Sequence, residues 1–256
     1  MSRREVLAAA TADDLAESVA AMLATRIADA QAAGRIPSIV LTGGGIGTAV
    51  LGCLREPGTA AAIDWSCVDL WWGDERYLPV GDPDRNDTAA FRNLLDHVPV
   101  DPARVHRIPG PEASASAEDA AAQYAAQLHR HAAPPGAVPA FDVVLLSIGP
   151  DGHVASLFPE APALHETQDA VLAVHGSPKP PPTRVTLTYP AIAAAREVWV
   201  LASGPAKADA VRLMLEEHAG PLQVPAVGAV GSLRTLVILD AEAAAELPAG
   251  LTRPIA

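Results

Sequence analysis

Several short apolar segments of this chain each lead directly into a cluster of glycine and polar residues. The clearest is Phe141–Ile148, an almost unbroken apolar run that continues into Gly149-Pro150-Asp151-Gly152-His153. An apolar run of this kind is typical of a parallel strand that is covered on both faces. Because such segments alternate with helical ones along the chain, the pattern predicts an α/β fold.

The order of the segments predicts a single domain over residues 1–256, with a mostly parallel, Rossmann-like central sheet flanked by helices. Helices are expected at Thr11–Ala33, Asp87–Leu95 and Ala117–His131, from the glycine-rich turn to about Leu54, and from Lys207 to about Glu217. Strands are expected at Ser38–Leu41, Trp65–Trp72, Arg104–Ile108, Phe141–Ile148, Ala170–Val174, Arg184–Thr188, Val198–Ala202 and Thr235–Leu239, the last of which is expected to close the sheet. Thr11 and Asp14 resemble a capping box at the start of the first helix.

Four polar clusters come directly after predicted strands, at residues 42–48, 73–76, 149–153 and 203–207. Ligands of open α/β sheets bind outside the carboxyl ends of the strands. We therefore expect the four clusters to meet at one edge of the sheet and to form one active site there.

The charge and cysteine content narrow the kinds of partner and site. The formal net charge is −12, whereas nucleic-acid binding depends largely on lysine and arginine contacts to phosphates. Two cysteines, Cys53 and Cys67, are too few for a disulfide framework or a four-ligand zinc site, and we expect them to be buried thiols. Met1–Ala10 lacks the pattern of a signal peptide, and no apolar run is long enough to span a bilayer. A cytoplasmic protein that binds neither nucleic acid nor membrane is expected.

The glycine-rich turn Thr42–Thr48 follows a predicted strand and opens a helix. In that position the backbone N–H groups of Gly43, Gly44 and Gly45 are able to hold a phosphate, assisted by the helix dipole. The turn lacks the Gly-Lys-Ser/Thr of a Walker A loop and the third glycine of a dinucleotide fingerprint. It is interpreted either as a tight turn or as a site for a mononucleotide or sugar phosphate.

Two further clusters carry groups suited to anion binding and to proton transfer. Arg76, in Asp74-Glu75-Arg76, has a planar set of donors that fits phosphate or carboxylate oxygens. Histidine titrates near neutral pH, so His153 is able to take a proton from water and return it. Asp151 is placed to fix the tautomer of that ring or to hold a substrate hydroxyl. Read alone, either cluster also fits a charged surface turn or a structural loop.

The chain has only two lysines, and both lie in segments next to these clusters. Lys179 stands in a proline-rich segment that ends at Arg184, and its stiff backbone is suited to directing both cations at one anion. Lys207 begins a predicted helix, where a cation is unfavourable unless an anion binds. On this interpretation the sheet edge is locally positive against an acidic background; a rigid surface turn and chance placement are the alternatives.

Six segments follow one another in a characteristic order. They are Leu41-Thr42-Gly43-Gly44-Gly45, Trp72-Gly73-Asp74-Glu75-Arg76, Pro83-Asp84-Arg85-Asn86, Gly149 to Pro159, Pro178 to Thr188, and Gly204-Pro205-Ala206-Lys207-Ala208. Together they resemble the 6-phosphogluconolactonase family over nearly the whole chain, and the segment around Asp151-Gly152-His153 is the most specific of them.

The resemblance implies an α/β fold related to glucosamine-6-phosphate isomerase, and hydrolysis of 6-phosphoglucono-1,5-lactone without a metal or a cofactor. It implies that His153 is the general base acting on water, and that Asp151 and Arg76 shape the reacting end of the site. Binding of the phosphate and hydroxyls is implied for Gly43, Gly44, Gly45, Asp74, Lys179, Arg184 and Lys207. A monomer or weak homodimer is expected.

Two loops depart from the family's pattern, and two alternative functions follow from related proteins. Ile46-Gly47-Thr48 stands where the family usually has Ser-Thr-Pro, and Arg85 stands where it usually has serine. Related isomerases carry a glutamate five residues after the histidine, whereas this chain has Phe158 there and Glu160 two residues later. Because phenylalanine cannot transfer a proton, hydrolysis is favoured over isomerisation. A transcription regulator that senses sugar phosphates is less favoured, since we expect the sheet to begin after one helix, without room for a helix-turn-helix.

Overall fold

Ten strands and seven α-helices lie within Arg4–Ile255, the residues that this computed structural model describes. The strands are β1 Arg4–Ala8, β2 Ser38–Leu41, β3 Asp69–Trp72, β4 Asp74–Arg76, β5 Val143–Ser147, β6 Val171–Val174, β7 Arg184–Leu187, β8 Glu197–Ala202, β9 Arg234–Leu239 and β10 Arg253–Pro254. The helices are α1 Ala12–Ala32, α2 Gly44–Leu54, α3 Pro57–Ala60, α4 Asn86–Asn93, α5 Ala117–His131, α6 Tyr189–Ala193 and α7 Ala208–Leu215. The two ends of the predicted domain, at residues 1–3 and 256, lie outside the described residues.

Seven strands form one sheet in the order β10-β1-β9-β8-β5-β2-β3, and all of its described pairs are parallel. In β8 and β9 every residue after the first is buried, so both faces of the sheet are covered. Helix α2 packs against β5 and β8, and α1 packs against α2 and β9. The predicted α/β fold with a mostly parallel central sheet is confirmed.

A second, antiparallel sheet in the order β4-β7-β6 continues from the end of β3. Only Gly73 separates β3 from β4, and its carbonyl oxygen accepts a hydrogen bond from Leu187 N at 2.8 Å. In the register of this sheet Arg76 lies opposite Arg184. The small sheet therefore brings the Asp74–Arg76 cluster next to the end of the proline-rich segment.

The structure corrects the predicted edges of the main sheet. The sheet begins with β1, before the first helix, and β1 pairs with β9 and β10. Of the five residues of β1 only Val6 is buried, so its apolar pattern is too weak to predict a strand. Because β1 and β10 lie beyond it, β9 is an interior strand and does not close the sheet.

Other predicted elements differ in kind or in place. Arg104–Ile108 is not a strand, because Pro102–Arg104 forms a 3₁₀ turn and a single bridge joins Val105 to Leu70. The first part of Trp65–Trp72 is also a 3₁₀ turn. The strands predicted near 170–174 and 184–188 belong to the antiparallel sheet.

The structure bears on two expectations from composition, the burial of the cysteines and the lack of a membrane-spanning segment. Cys53 and Cys67 are both free thiols, but they are half-buried rather than buried. Within residues 4–255 no helix is both long enough and apolar enough to cross a bilayer.

Candidate active site

A cleft lies at the carboxyl ends of β2, β3, β5 and β8, where the four polar clusters meet. Its lining includes residues from all four clusters and several others. The full set of lining residues is Thr42, Gly43, Gly44, Asp74, Arg76, Asn86, Ser147, Ile148, Gly149, His153, Ala155, Lys179, Arg184 and Lys207. Two predicted site residues are not in this lining. Asp151 lies against the ring of His153, and Gly45 faces an adjoining cavity that also contains Gly44 and Lys207.

Two glycines allow the loop after β5 to turn back on itself, so that the His153 ring lies against Gly149. Gly149 N donates to His153 O at 2.8 Å, and a Cβ on Gly149 would lie 1.9 Å from His153 Nδ1. Gly152 has φ +81°, in the left-handed region that favours glycine, and a Cβ there would lie 2.9 Å from Val224 Cγ1. The loop adopts this shape because neither position carries a side chain.

Asp151 determines which nitrogen of His153 carries the proton. His153 Nδ1 lies 2.5 Å from Asp151 Oδ1. A carboxylate only accepts hydrogen bonds, so Nδ1 is the protonated nitrogen and Nε2 is left as an acceptor. Partial burial works to raise the pKa of Asp151, but its hydrogen bond with His153 and the charges of His153 and Lys179 outweigh burial and hold that pKa well below its usual range. The pair therefore consists of a charged carboxylate and an oriented base at the cleft.

Lys179 lies against this pair. Its Nζ is 3.4 Å from Asp151 Oδ1 and 3.3 Å from His153 Nδ1. Because Nδ1 already carries a proton, the Asp151 carboxylate is the acceptor that the Nδ1–H of His153 and the ammonium group of Lys179 share. Lys179 thus contacts the Asp151–His153 pair and also lines the cleft.

Arg184 holds the proline-rich segment in place. Its Nε donates to Pro181 O at 2.9 Å, and its Nη2 donates to the carbonyl oxygens of Lys179 at 3.1 Å and Pro180 at 3.2 Å. Burial of the guanidinium lowers the pKa of Arg184 from its ordinary value, although Asp74, 3.7 Å away, opposes this effect. Most donors of this predicted binding residue are therefore used to order the backbone that carries Lys179.

Two helix N-termini face the cleft without a side-chain cap. Helix α2 begins at Gly44, and its N-cap residue Gly43 has no side chain to accept from the first N–H groups. Helix α7 begins after Lys207, which is its N-cap residue. Partial burial and the neighbouring Lys179 lower the pKa of Lys207. The start of α2 therefore has unsatisfied N–H donors and a positive dipole end, as an anion site requires. The start of α7 differs, because the 3₁₀ turn Pro205–Lys207 runs into it and Ala208 N donates to Pro205 O.

Asp74 is a buried support that joins three loops. Its Oδ2 accepts from Ser156 Oγ at 2.6 Å, and its Oδ1 accepts from Asn86 Nδ2 at 3.2 Å. The carbonyl oxygen of Asp74 also accepts from Asn86 Nδ2, at 2.9 Å. Both carboxylate oxygens of this predicted binding residue are thus engaged within the protein.

Arg76 places its guanidinium at the cleft. Its Nη1 donates to Asp84 O at 2.5 Å, and its backbone N donates to Glu75 Oε1 at 2.8 Å. Its Nε has no partner among residues 4–255. The side chain is anchored at one end to the loop after β4 while it lines the cleft.

The unusual Arg85 lies behind the cleft. Its side chain is fully buried, and its Nε and Nη2 donate to the two carboxylate oxygens of Asp87 at 2.9 and 2.7 Å. Glu75 Oε2 lies 3.8 Å from Arg85 Nε. Burial and the Asp87 carboxylate raise the pKa of Glu75, while Arg85 opposes the rise. Arg85 is therefore the counter-ion of two buried carboxylates.

Six cleft residues are not among the predicted site residues: Thr42, Asn86, Ser147, Ile148, Gly149 and Ala155. Asn86 ends the Pro83–Asn86 motif, and Ser147 is the polar last residue of an apolar strand, so both had a signal in the sequence. Ser147 Oγ donates to Gly43 O at 2.9 Å. Ala155 has φ +49°, a conformation that its sequence context does not predict.

An oriented histidine, four cationic side chains and an uncapped helix N-terminus at the edge of a parallel sheet define an α/β enzyme for a small anionic substrate. Among the described residues, no group of three or more histidine, cysteine, aspartate or glutamate side chains is placed to hold a metal ion. The family model described as Glucosamine-6-phosphate isomerases/6-phosphogluconolactonase matches residues 10–237, and the chain belongs to this family.

Relatives and solved structures agree with this assignment. The 6-phosphogluconolactonase of Streptomyces coelicolor is 55% identical over 94% of this chain and 93% of its own length. That of Mycobacterium tuberculosis is 51% identical over 82% of this chain and 85% of its own length. The structure of 6-phosphogluconolactonase from Trypanosoma brucei superposes with a TM-score of 0.80 at 30% identity, covering 97% of this chain and all of that one. A monomeric glucosamine-6-phosphate deaminase, 22% identical with a TM-score of 0.78 over 94% of this chain and 99% of its own, shares the fold.

Proposed function

We propose that this chain hydrolyses 6-phosphoglucono-1,5-lactone to 6-phosphogluconate, a step of the pentose phosphate pathway, with His153 as the general base. The relatives named above support the substrate. The observation that carries the mechanism is the Asp151–His153 hydrogen bond, which leaves Nε2 of a cleft-lining ring free to accept a proton.

In the proposed reaction, Nε2 of His153 takes a proton from a water molecule as its oxygen attacks C1 of the lactone. The new C1–O bond produces a tetrahedral oxyanion, for which Arg76 and backbone N–H groups of the cleft are the nearby donors. When the bond from C1 to the ring oxygen breaks, the protonated His153 returns its proton to that oxygen. Asp151 stabilises the imidazolium between these steps, and water is the only co-reactant.

The phosphate is assigned to the side of the cleft formed by Gly43, Gly44 and Lys207. There the N-terminus of α2 supplies N–H donors, and Lys207, at the start of α7, supplies a charge. Arg76, Lys179, Arg184 and Lys207 outnumber the single carboxylate of the lining, Asp74. In a chain of net charge −12, this concentration of positive charge guides an anionic substrate to one place.

The surroundings of His153 favour hydrolysis over sugar-phosphate isomerisation. Phe158, at the position where related isomerases carry a glutamate, packs with its ring centroid 4.7 Å from that of His153 and is 3% exposed. Glu160 is exposed and is not part of the cleft lining. At the position where related isomerases carry a glutamate, this chain therefore has a side chain that cannot transfer a proton.

For the setting of the enzyme, we propose a cytoplasmic monomer or weak homodimer. Free Cys53 and Cys67 fit a reducing compartment. Sedimentation velocity over a range of protein concentrations measures the association state, and a stable larger assembly would contradict this proposal.

A coupled assay tests the proposed activity. Freshly generated 6-phosphogluconolactone is supplied, and formation of 6-phosphogluconate is followed against spontaneous hydrolysis of the same lactone. The purified chain is expected to accelerate product formation in proportion to its concentration. A rate equal to that of the uncatalysed control would overturn the proposal.

A further inference from the structure

The side-chain amide oxygen of Asn86, Oδ1, takes part in none of the hydrogen bonds described so far. Its amide nitrogen Nδ2 donates to Asp74 O at 2.9 Å and to Asp74 Oδ1 at 3.2 Å. A carbonyl and a carboxylate only accept, so these two bonds fix which end of the amide is nitrogen and which is oxygen. The oxygen Oδ1 is directed away from Asp74.

The position of Asn86 is fixed by more than its side chain. It is the first residue of α4, and its backbone N donates to Glu75 Oε1 at 2.7 Å. The whole residue is 7% exposed. Because the backbone and Nδ2 are both held, Oδ1 is presented in one orientation at little cost in entropy when a ligand binds.

The free oxygen lies at the glycine-rich side of the cleft. Asn86 is part of the cleft lining. A Cβ added to Gly43 would lie 1.9 Å from Asn86 Oδ1, closer than to any other atom of Asn86. Among residues 4–255 no group donates a hydrogen bond to this oxygen. An amide oxygen held in this way is an unused acceptor next to the expected place of the substrate.

The chemistry of an acceptor selects what can bind to it. Phosphate oxygens and the lactone carbonyl have no proton to donate, so they gain nothing from Asn86 Oδ1. A sugar hydroxyl does have one. We propose that Asn86 is a specificity-determining residue whose Oδ1 accepts a hydrogen bond from one ring hydroxyl of the substrate. The inference rests on the proposed function, because it takes a hydroxylated lactone as the ligand.

A comparison of substrates with and without each hydroxyl tests this role. The kcat/KM values for 6-phosphogluconolactone and its 2-, 3- and 4-deoxy forms are measured for the wild-type chain and for Asn86→Ala. We expect one deoxy form to lose about tenfold in the wild type, and the same deoxy form to lose less than twofold relative to the parent lactone in the variant. A merely structural role of Asn86 would lower the values for all lactones by one common factor.

Two controls accompany the comparison. Asn93→Ala removes an asparagine of the same helix whose Nδ2 donates to Ala89 O, outside the cleft, and it is expected to retain the wild-type pattern. If Asn86→Ala does not fold, Asn86→Ser replaces it. The inference is overturned if no deoxy form costs the wild type more than twofold, or if the cost is equal in wild type and variant.

A binding measurement separates this inference from the proposed activity. Calorimetric titration with 6-phosphogluconate and its deoxy forms completes the same comparison without turnover. A wild-type chain that does not hydrolyse the lactone but shows the Asn86-dependent loss in binding would contradict the proposed function and support the role of Asn86. Equal binding losses in wild type and variant would overturn that role whatever the activity.

Discussion

At the scale of single residues, the central feature is that the Asp151 carboxylate contacts both His153 and Lys179. Its carboxylate orients His153 and also attracts Lys179, with donor nitrogens 2.5 Å and 3.4 Å from the same oxygen. The sequence predicts that Lys179 binds the substrate, and the structure adds its contacts with Asp151 and His153. The second lysine, Lys207, lies at the start of α7 without such a contact. Substitutions of His153 and Lys207 therefore have different expected effects.

Replacement of His153 tests the base. In His153→Ala, kcat is expected to fall by about 10²–10⁴-fold, because no other proton acceptor takes its place. The dissociation constant of 6-phosphogluconate, measured by calorimetry, is expected to stay within about twofold since the phosphate donors are unchanged. A fall in kcat of less than about tenfold would show that the base is assigned wrongly.

Replacement of Lys207 tests the phosphate side of the cleft. In Lys207→Ala, the KM for 6-phosphogluconolactone is expected to rise about tenfold or more through loss of a charge-assisted hydrogen bond. The KM for unphosphorylated glucono-1,5-lactone serves as the control and is expected to stay unchanged. Equal effects on both lactones, in steady-state assays, would argue against a contact between Lys207 and the phosphate.

At the scale of elements, the start of helix α4 depends on residues from another strand. Its N-cap residue Arg85 makes no capping bond with its side chain. Instead, the carboxylate of Glu75 in β4 accepts from the backbone N–H groups of Asn86 at 2.7 Å and Asp87 at 2.8 Å. This remote cap places negative charge at a helix N-terminus, which is favourable. It also requires a buried counter-ion, and Arg85 supplies it.

Replacement of Arg85 tests this arrangement. Arg85→Ser restores the residue usual in the family but leaves Glu75 and Asp87 buried, with Arg107 the remaining cation bonded to Asp87. The free energy of unfolding is expected to fall by about 3 kcal/mol or more, measured by chemical denaturation. Arg92→Ser, an exposed arginine on the same helix, is the matched control with an expected change below about 0.5 kcal/mol. Similar small changes in both variants would contradict the counter-ion role.

At the scale of the whole molecule, both sheets share one core. Val185 and Leu187 of the antiparallel sheet are fully buried in the same hydrophobic cluster as Trp199 and Val200 of the main sheet. Leu187 N also donates to Gly73 O, at the junction of β3 and β4. If residues 1–256 form a single domain, as predicted, both sheets are therefore expected to unfold together.

Cooperative unfolding tests the single-domain prediction. Tryptophan fluorescence reports the main sheet and its 3₁₀ turn, through Trp65, Trp71, Trp72 and Trp199. Hydrogen exchange at the amides of β6 and β7 reports the antiparallel sheet. The tryptophan fluorescence and the amide protection of β6 and β7 are expected to change at the same denaturant concentration. Loss of amide protection in β6 and β7 well before the fluorescence transition would indicate a second, separately unfolding unit.

Particular residues show which features of the structure a local sequence pattern is able to predict. The apolar run that became β5, the capping contact from Asp14 N to Thr11 Oγ1 at 3.1 Å, and the convergence of four polar clusters were all predicted from neighbouring residues. Helix starts and strand faces depend on residues a few positions apart, which explains this success. Strand β1 was missed because only one of its five residues is buried and its pairing partners, β9 and β10, lie at the other end of the chain.

The sequence by itself determined the α/β class, the edge of the sheet where the four polar clusters meet, and the residue types of the Asp151–His153 pair. The tertiary structure alone decided that Asp74 and Arg184 support loops, that Arg85 neutralises buried carboxylates, and that Asn86 keeps a free acceptor at the cleft. The physical reason is the range of the interactions. A side chain's role depends on which partners occupy its donors and acceptors, and here those partners lie on other loops or come from distant parts of the chain.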